Sequence, residues 1–304
     1  MRQRFNWNLG RRTLALGDRT LVMGVVNVTP DSFSDGGQFA SRDSAVEHAL
    51  RLFTEGADVV DLGGESTRPG VMIARGGLEA SVSAEQEIER VVPVIEGILR
   101  KKPDALLSID TYKSQTARAA VAAGAQIVND VSGFHWDPEM ARTVAELGCG
   151  AVLMHSRGTP AEWRSLPPME RPVQTVRDEL LSSVAEAEAT GVRRNQLVLD
   201  PGFGFGKRFD ENYPLLAHFG EFTRIGLPLL AGPSRKSFIG RTIGRRWSEI
   251  RGAAQEDASV VRRLYGTIAA LVACVMQGAH MVRVHDVAAA VEALAVADAA
   301  LQAE

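Results

Sequence analysis

"QIVNDVSGFHWDPEMARTVAELGCGAVLMH", residues 126–155, contains the repeating unit of the chain. It opens on a short apolar run, "QIVND", turns through Ser, Gly and Asp, takes up helical period in "DPEMARTVAELG", and ends on a second apolar run, "AVLMH". Asp137 ahead of the periodic stretch and Gly148 behind it are residue types that start and stop helices. A strand, a helix and another strand imply parallel strands joined by a right-handed crossover. The pattern continues in both directions. The runs "LVMGVVN", "ADVVDL", "ALLSID", "QLVLD", "LPLLAG" and "MVRVH" alternate with helical stretches such as "SRDSAVEHALRLFTEG", "SAEQEIERVVPVIEGILR" and "KSQTARAAVAAG". About eight such units predict an α/β fold, a (β/α)8 TIM barrel, as a single domain over residues 1–304. An open doubly wound sheet is the alternative, but no glycine-rich dinucleotide turn follows the first strand.

Composition narrows the function classes. At 45% hydrophobic residues, the chain has ample material for a large core. A net charge of -3 gives no general attraction to nucleic acid or to an acidic membrane, so any cationic site has to be local. Cys149 and Cys274 lie far apart, which predicts reduced thiols in a cytoplasmic protein. The opening "MRQRFNWNLGRRTLAL" is basic but has no apolar secretory core, and reads as a surface segment leading into the fold. The most apolar tract, "GTIAALVACVMQGAHMV", is broken by Gln277 and His280 and is too short to span a bilayer.

The apolar runs end on polar groups: Asn27, Asp61, Asp110, Asn129, His155, Asp200, and Arg283 with His285. The seventh runs into "GPSRKS". One such ending is a helix cap or turn; repeated at the C-terminal rim, where barrel enzymes keep their chemistry, it predicts a polar mouth. Period two puts Met23, Val25 and Asn27 on one strand face, Leu106, Ser108 and Asp110 on another, and Arg283 with His285 on a third. Asp110, Asn129 and Asp200 suit the N–H edge of a flat heterocycle. Two of these acids with His155 or His285 would instead suit a metal. Lys236, beside Arg235, can reach a ring carbonyl or an anion. Arg283 and His285 end the last strand, near a common phosphate position in barrels, and Arg suits forked contacts with phosphate oxygens; a pairing of Arg283 with Asp286 alone is the alternative.

"DPGFGFGK", residues 200–207, resembles a nucleotide loop but has the wrong spacing. Only three residues separate Gly202 from Gly206, and Arg208 follows Lys207 where a P-loop needs Ser or Thr. Two other loops have the composition of lids. "NVTPDSFSDGGQF" carries the isolated aromatic Phe33, and "GGESTRPG" carries Thr67, Arg68 and Pro69. Asn27, at the base of the first, suits a hydrated Mg²⁺, which takes few protein ligands plus substrate phosphates.

The blocks "GVVNVTPDSFSDGG", "VDLGGESTRPG", "SIDTYK", "IVNDVSG", "LMHSRGTP", "LDPGFGFGK", "GPSRKSFIG" and "VRVHDV" occur in this order over nearly the whole chain. Together they resemble the dihydropteroate synthase family. The resemblance implies a pterin-binding (β/α)8 barrel, a homodimer, and the joining of (7,8-dihydropterin-6-yl)methyl diphosphate to 4-aminobenzoate in folate biosynthesis. It implies that Asp110, Asn129, Asp200 and Lys236 bind the pterin ring, with Asp61 and Met154 lining the pocket and Thr67 contacting the pterin substrate. Asn27 is implied as the Mg²⁺ ligand and, with Arg283 and His285, as a diphosphate contact. Ser237 and Arg68 fall at the aminobenzoate end with Lys236, and Phe33, Pro69 and Phe205 enclose its ring. Asp110, Lys236, Arg283 and His285 are implied to be catalytic, and sulfonamides to be inhibitors.

The chain departs from the family pattern in three places. "VMIARGGLEAS" lengthens the second lid, "GRRWSEIRGAAQEDASVVRRLYGT" lengthens the stretch after the seventh strand, and Ser156 stands where Met is expected. The first is expected to alter lid closure and the second oligomer contacts. A pterin-dependent methyltransferase serving a corrinoid protein would share the ring-binding acids but not the diphosphate clamp or the "TPDSFSDGG" lid. A non-catalytic pterin-binding paralogue would have lost lid or clamp residues, and both sets are present.

Overall fold

The computed structural model describes residues 2–28, 37–66, 78, 82–252 and 254–303, without the side chains of 37–41. Eight parallel strands form the centre: β3 (Leu21–Asn27), β4 (Val59–Gly63), β5 (Leu107–Asp110), β6 (Ile127–Asp130), β7 (Gly150–Met154), β8 (Leu197–Asp200), β9 (Leu230–Ala231) and β10 (Met281–Val284). Their order is β8-β7-β6-β5-β4-β3-β10-β9. A parallel bridge between Leu199 and Leu229, and a 2.9 Å bond from Leu199 N–H to the Pro228 carbonyl, join the two ends into a barrel. Helices α1 (Gly37–Thr54), α2 (Ala84–Lys101), α3 (Ser114–Ala122), α4 (Met140–Leu147), α5 (Pro172–Ala189), α6 (Asn212–Ala217), α7 (Ser237–Arg251), α8 (Leu264–Met276) and α9 (Val287–Gln302) fill the crossovers.

The capping signals act locally, with one difference from expectation. Ser83 starts α2 with a capping box shared with Gln86, and Gly148 ends α4 in the left-handed region. Asp137 does not cap α4, which begins at Met140. Its carboxylate accepts the Ser114 N–H at 2.7 Å and the Glu139 N–H at 2.9 Å, tying the start of α3 to the turn before α4.

Strand parity divides the core in two. Val60, Leu62, Leu107, Ile109, Leu197, Leu199, Val282 and Val284 face the helices. Met23, Val59, Ile127, Val152, Val198, Leu230 and Met281 fill the lower lumen. The N-terminal stretch is not the surface segment expected from its charge. Its antiparallel strands β1 (Phe5–Asn8) and β2 (Thr13–Leu16) bring Trp7, Leu9 and Leu16 against that lower layer. Trp7 is 1% exposed, and its indole N–H donates to the Gln196 carbonyl at 2.6 Å. An apolar lumen open at its base would leave this layer in water. The hairpin stabilises the barrel by covering it, and the basic residues between its apolar ones obscure that role.

Above the apolar layer the lumen turns polar. Asp61 lies beside Ser108, Asp110 beside Asn129 and Met154 beside Asp200 in the strand register, and strand parity turns these residues, with Asn27 and Arg283, into the lumen toward the C-terminal mouth. Among the described residues no helix is long and apolar enough to cross a membrane.

Candidate active site

Strands β4, β5 and β8 supply the acids of the floor, and β6 and β10 supply Asn129 and Arg283. β4 continues two residues past Asp61 and β6 one past Asn129, so these two sit below the strand tips rather than on them. Asp61 is 0% exposed and accepts the Asn129 amide at 3.0 Å and Arg283 Nε at 2.6 Å on the same oxygen, Oδ2. Its other oxygen, Oδ1, is buried with no hydrogen-bond partner among the described residues, as is the hydroxyl of Ser108 on the neighbouring strand. Arg283 also donates from Nη2 to Asp110 Oδ2 at 2.7 Å. Burial works against the Arg283 charge, yet the carboxylates of Asp61 and Asp110 hold its pKa above the ordinary value. The alternative pairing of Arg283 with Asp286 is not what forms; Asp286 binds Arg235.

Asp200 ends β8 and is buried. Burial raises its pKa to about 6, against the opposing effects of the Gly202 N–H, which donates to Oδ1 at 2.7 Å, and of Lys236, Lys207 and Arg283. Gly232 keeps the space beside it open. A Cβ there would stand 3.3 Å from Asp200 Oδ2 and 3.9 Å from Arg283 Cβ.

The second side of the mouth is aromatic. Phe205 is 5% exposed, with Lys236 Nζ 4.0 Å from its ring centroid. Trp163 meets Phe205 edge to face at 5.7 Å, and Met154, Tyr112 and Val131 complete the cluster. Ser237 is the first residue of α7, immediately after Lys236, where helix N–H groups favour an anion. Arg235, just before them, adopts a positive φ of 56° and is held through its N–H by Thr267 at 3.0 Å and its carbonyl by Arg263 at 2.9 Å.

Asn27 and His285 open onto one cleft of ≈ 560 Å³, shared with His48, Arg51 and Arg235. His285 Nδ1 shares a 3.0 Å hydrogen bond with Ser234. Asn27 offers one neutral amide, and no group of three His, Cys, Asp or Glu suited to a metal occurs among the described residues. That donor set fits a hydrated Mg²⁺ arriving with a substrate phosphate, not a metal held by protein side chains alone. His155 is no part of such a site. It follows the inward-facing Met154, turns outward, and pairs through Nε2 with Glu179 at 2.7 Å, while burial lowers its pKa to about 4. Phe33, Thr67, Arg68 and Pro69 lie outside the described residues.

The sequence reading missed two features. Lys113 bridges Glu65 Oε2 at 2.6 Å and Glu87 Oε2 at 3.0 Å, with Tyr112, Thr111 and Thr116 donating to the same carboxylates. This buried network anchors the chain just before residue 67. Lys207, set aside with the failed nucleotide motif, is buried against backbone carbonyls.

The family model for pterin binding enzymes matches residues 23–285. The dihydropteroate synthase of Escherichia coli (strain K12) is 41% identical over 283 residues, covering 93% of this chain and 92% of that protein. The structure of Xanthomonas albilineans dihydropteroate synthase with 4-aminobenzoic acid superposes with a TM-score of 0.83 at 41% identity, over 99% of this chain and 100% of the other. That of the Yersinia pestis enzyme with a sulfonamide drug superposes with a TM-score of 0.82 at 38% identity, over 96% and 97%. A polar barrel mouth with these acids, lysine and arginine, and matches of this extent, lead to one conclusion: the chain belongs to the pterin-binding enzymes and, within them, to the dihydropteroate synthase family.

Proposed function

We propose that the chain condenses (7,8-dihydropterin-6-yl)methyl diphosphate with 4-aminobenzoate, releasing 7,8-dihydropteroate and diphosphate. The observation that carries this reading is the Asp61–Arg283–Asp110 arrangement at the mouth, with the buried Asp200 beside it. Carboxylates aimed into a buried pocket accept the N–H groups of a pterin ring, and Asn129 and Lys236 supply the complementary amide and cation. Arg283 and His285 hold the diphosphate, whose departure breaks the C–O bond at the pterin methylene. Asp110 stabilises the positive charge left on that carbon. The aminobenzoate nitrogen attacks with its lone pair and forms the C–N bond, and the proton it loses passes to solvent. Because an aniline is neutral near pH 7, no strong base is required. Mg²⁺ at Asn27 would neutralise diphosphate charge.

Phe205 walls the aminobenzoate ring in this reading, and Lys236 and Ser237 meet its carboxylate. Phe33, Thr67, Arg68 and Pro69 belong to lids that exclude water from the cation. The buried thiols Cys149 and Cys274 support a cytoplasmic setting. A homodimer is supported by the exposed apolar residues Trp247, Ile250, Val261 and Tyr265, grouped along α7, the 3-10 turn Val260–Arg263 and α8. The decisive experiment is an assay with both substrates. Equal amounts of 7,8-dihydropteroate and diphosphate are expected, and pterin binding without either product would overturn the assignment.

A further inference from the structure

Lys207 is the one member of "DPGFGFGK" whose chemistry the proposed reaction leaves unused. It is 8% exposed, and its Nζ donates to three backbone carbonyls: Gly202 at 2.7 Å, His155 at 3.2 Å and Phe205 at 3.2 Å. His155 belongs to the loop after β7, and Gly202 and Phe205 to the loop after β8. One ammonium therefore ties two neighbouring strand-to-helix loops together. Gly202, Gly204 and Gly206 have φ of 69°, 85° and 63°, which lets this short loop curl around the ammonium. The fit is close. A Cβ on Gly202 would come 2.0 Å from the His155 carbonyl oxygen, and one on Gly206 would come 2.6 Å from that of Arg157. Asp200 and Glu179 favour the Lys207 charge, Lys236 and Arg157 oppose it, and burial lowers its pKa to about 7.

We propose that Lys207 is a positioning residue for the second-substrate pocket: its ammonium, held by carbonyls from two loops, fixes the Phe205 ring beneath Lys236. The inference rests on the reading of Phe205 as a wall of the 4-aminobenzoate site. Asp200 is less dependent on this tie. It ends a strand of the barrel, and its N–H partner Gly202 is only two residues away. Phe205 lies further out on the loop, where Lys207 grips its carbonyl directly. Lys207 also holds the Gly202 carbonyl, and Asn212 accepts the Gly204 N–H, but Asp200 is fixed by β8 itself, so loss of the ammonium would loosen the ring more than the pterin-binding acid.

Lys207→Met keeps the aliphatic stem and removes all three donors. At saturating pterin diphosphate its KM for 4-aminobenzoate is expected to rise about tenfold or more, while the calorimetric Kd for the pterin stays within about threefold of the wild type. In a Phe205→Ala background the wall is already gone, so Lys207→Met should raise KM little further; such non-additivity is the signature of action through Phe205. Lys207→Gln, which retains an N–H₂ group, is expected to recover part of the loss and serves if the Met variant does not fold. An unchanged KM in a folded variant overturns the proposal. So does a KM rise matched by an equal loss of pterin affinity, full additivity with Phe205→Ala, or failure of both variants to fold, since each makes Lys207 a general structural residue. If Phe205→Ala itself leaves KM unchanged, the reading of the aminobenzoate pocket fails instead.

Discussion

Arg283 and Asp61 form an ion pair inside the barrel, Nε to Oδ2 at 2.6 Å, with the carboxylate entirely out of reach of solvent. The arginine proposed for the diphosphate is thus anchored from below by one acid and flanked at the mouth by a second, Asp110. Its position is set before any ligand arrives, which lowers the cost of ordering a long side chain on binding. The same Asp61 oxygen orients Asn129, so the ring-binding amide and the phosphate-binding cation share one support.

Arg283→Ala should therefore weaken the pterin diphosphate much more than the unphosphorylated pterin alcohol. Loss of a charge-assisted contact costs about 1.5–3 kcal/mol, or roughly 10- to 150-fold in affinity. The alcohol should also lose some affinity, because Asp61 and Asp110 lose their shared counter-charge. Calorimetric titration with both ligands separates the effects, and equal losses would place Arg283 in the ring pocket alone.

The pH dependence of pterin binding should report Asp200. Its carboxylate accepts ring N–H groups at both oxygens only when ionised, and burial has raised its pKa to about 6. Affinity is expected to be level above that pH and to fall as the pH drops through it, because the protonated form loses acceptor capacity. Asp200→Asn should bind at least about tenfold more weakly and lose this pH step. A pH step that persists in the variant would assign the titration to another group.

Trp7→Ala tests the plug at the base of the barrel. Truncating a buried Trp costs about 3–5 kcal/mol, and the indole hydrogen bond to the Gln196 carbonyl is lost as well. Denaturant unfolding should show that loss, while KM for both substrates changes little because the mouth is at the other end. Stability within about 1 kcal/mol of the wild type would mean that the hairpin is not integral to the barrel.

Turnover should require Mg²⁺. Asn27 is the donor assigned to it, and the fit is to an ion that arrives largely hydrated with the diphosphate. Chelator in excess should abolish product formation and added Mg²⁺ restore it, while binding of the pterin alcohol stays unchanged. Full activity in chelator would remove the metal from the scheme.

The barrel was legible because its two periods are local: strand alternation and helix caps leave their mark in single residues such as Ser83 and Gly148. Asp110, Asp200 and Arg283 were legible because parity sends strand-end residues to the mouth. The pairing of Arg283 with Asp61 and Asp110 rather than Asp286 depends on which strands close the ring, which no short window records. Trp7 was hidden for a similar reason. Its hydrogen-bond partner Gln196 lies 189 residues away, whereas its immediate neighbours in sequence, Asn6 and Asn8, are polar. Lys207 was misjudged because the comparison was with phosphate loops, when its carbonyl partners are set by left-handed glycines and by a different strand.

Sulfonamides should inhibit in competition with 4-aminobenzoate. A sulfonamide presents the same aniline ring, and its sulfonyl oxygens take the place of the carboxylate. In the proposed pocket the ring lies along Phe205, and the anionic end meets Lys236 and the start of α7 at Ser237. These contacts do not distinguish the two compounds, so the two should compete for the site. Trp163 packs edge to face on Phe205 and supports that wall. The lengthened sequence after Gly70, which lies almost wholly outside the described residues, is the departure from the family pattern able to change the outcome. Steady-state kinetics at varied 4-aminobenzoate and fixed saturating pterin should give an apparent KM that rises with drug and an unchanged kcat. Inhibition that excess 4-aminobenzoate fails to relieve, or none at about 1 mM drug, an affinity of only about 4 kcal/mol, would exclude this picture of the pocket.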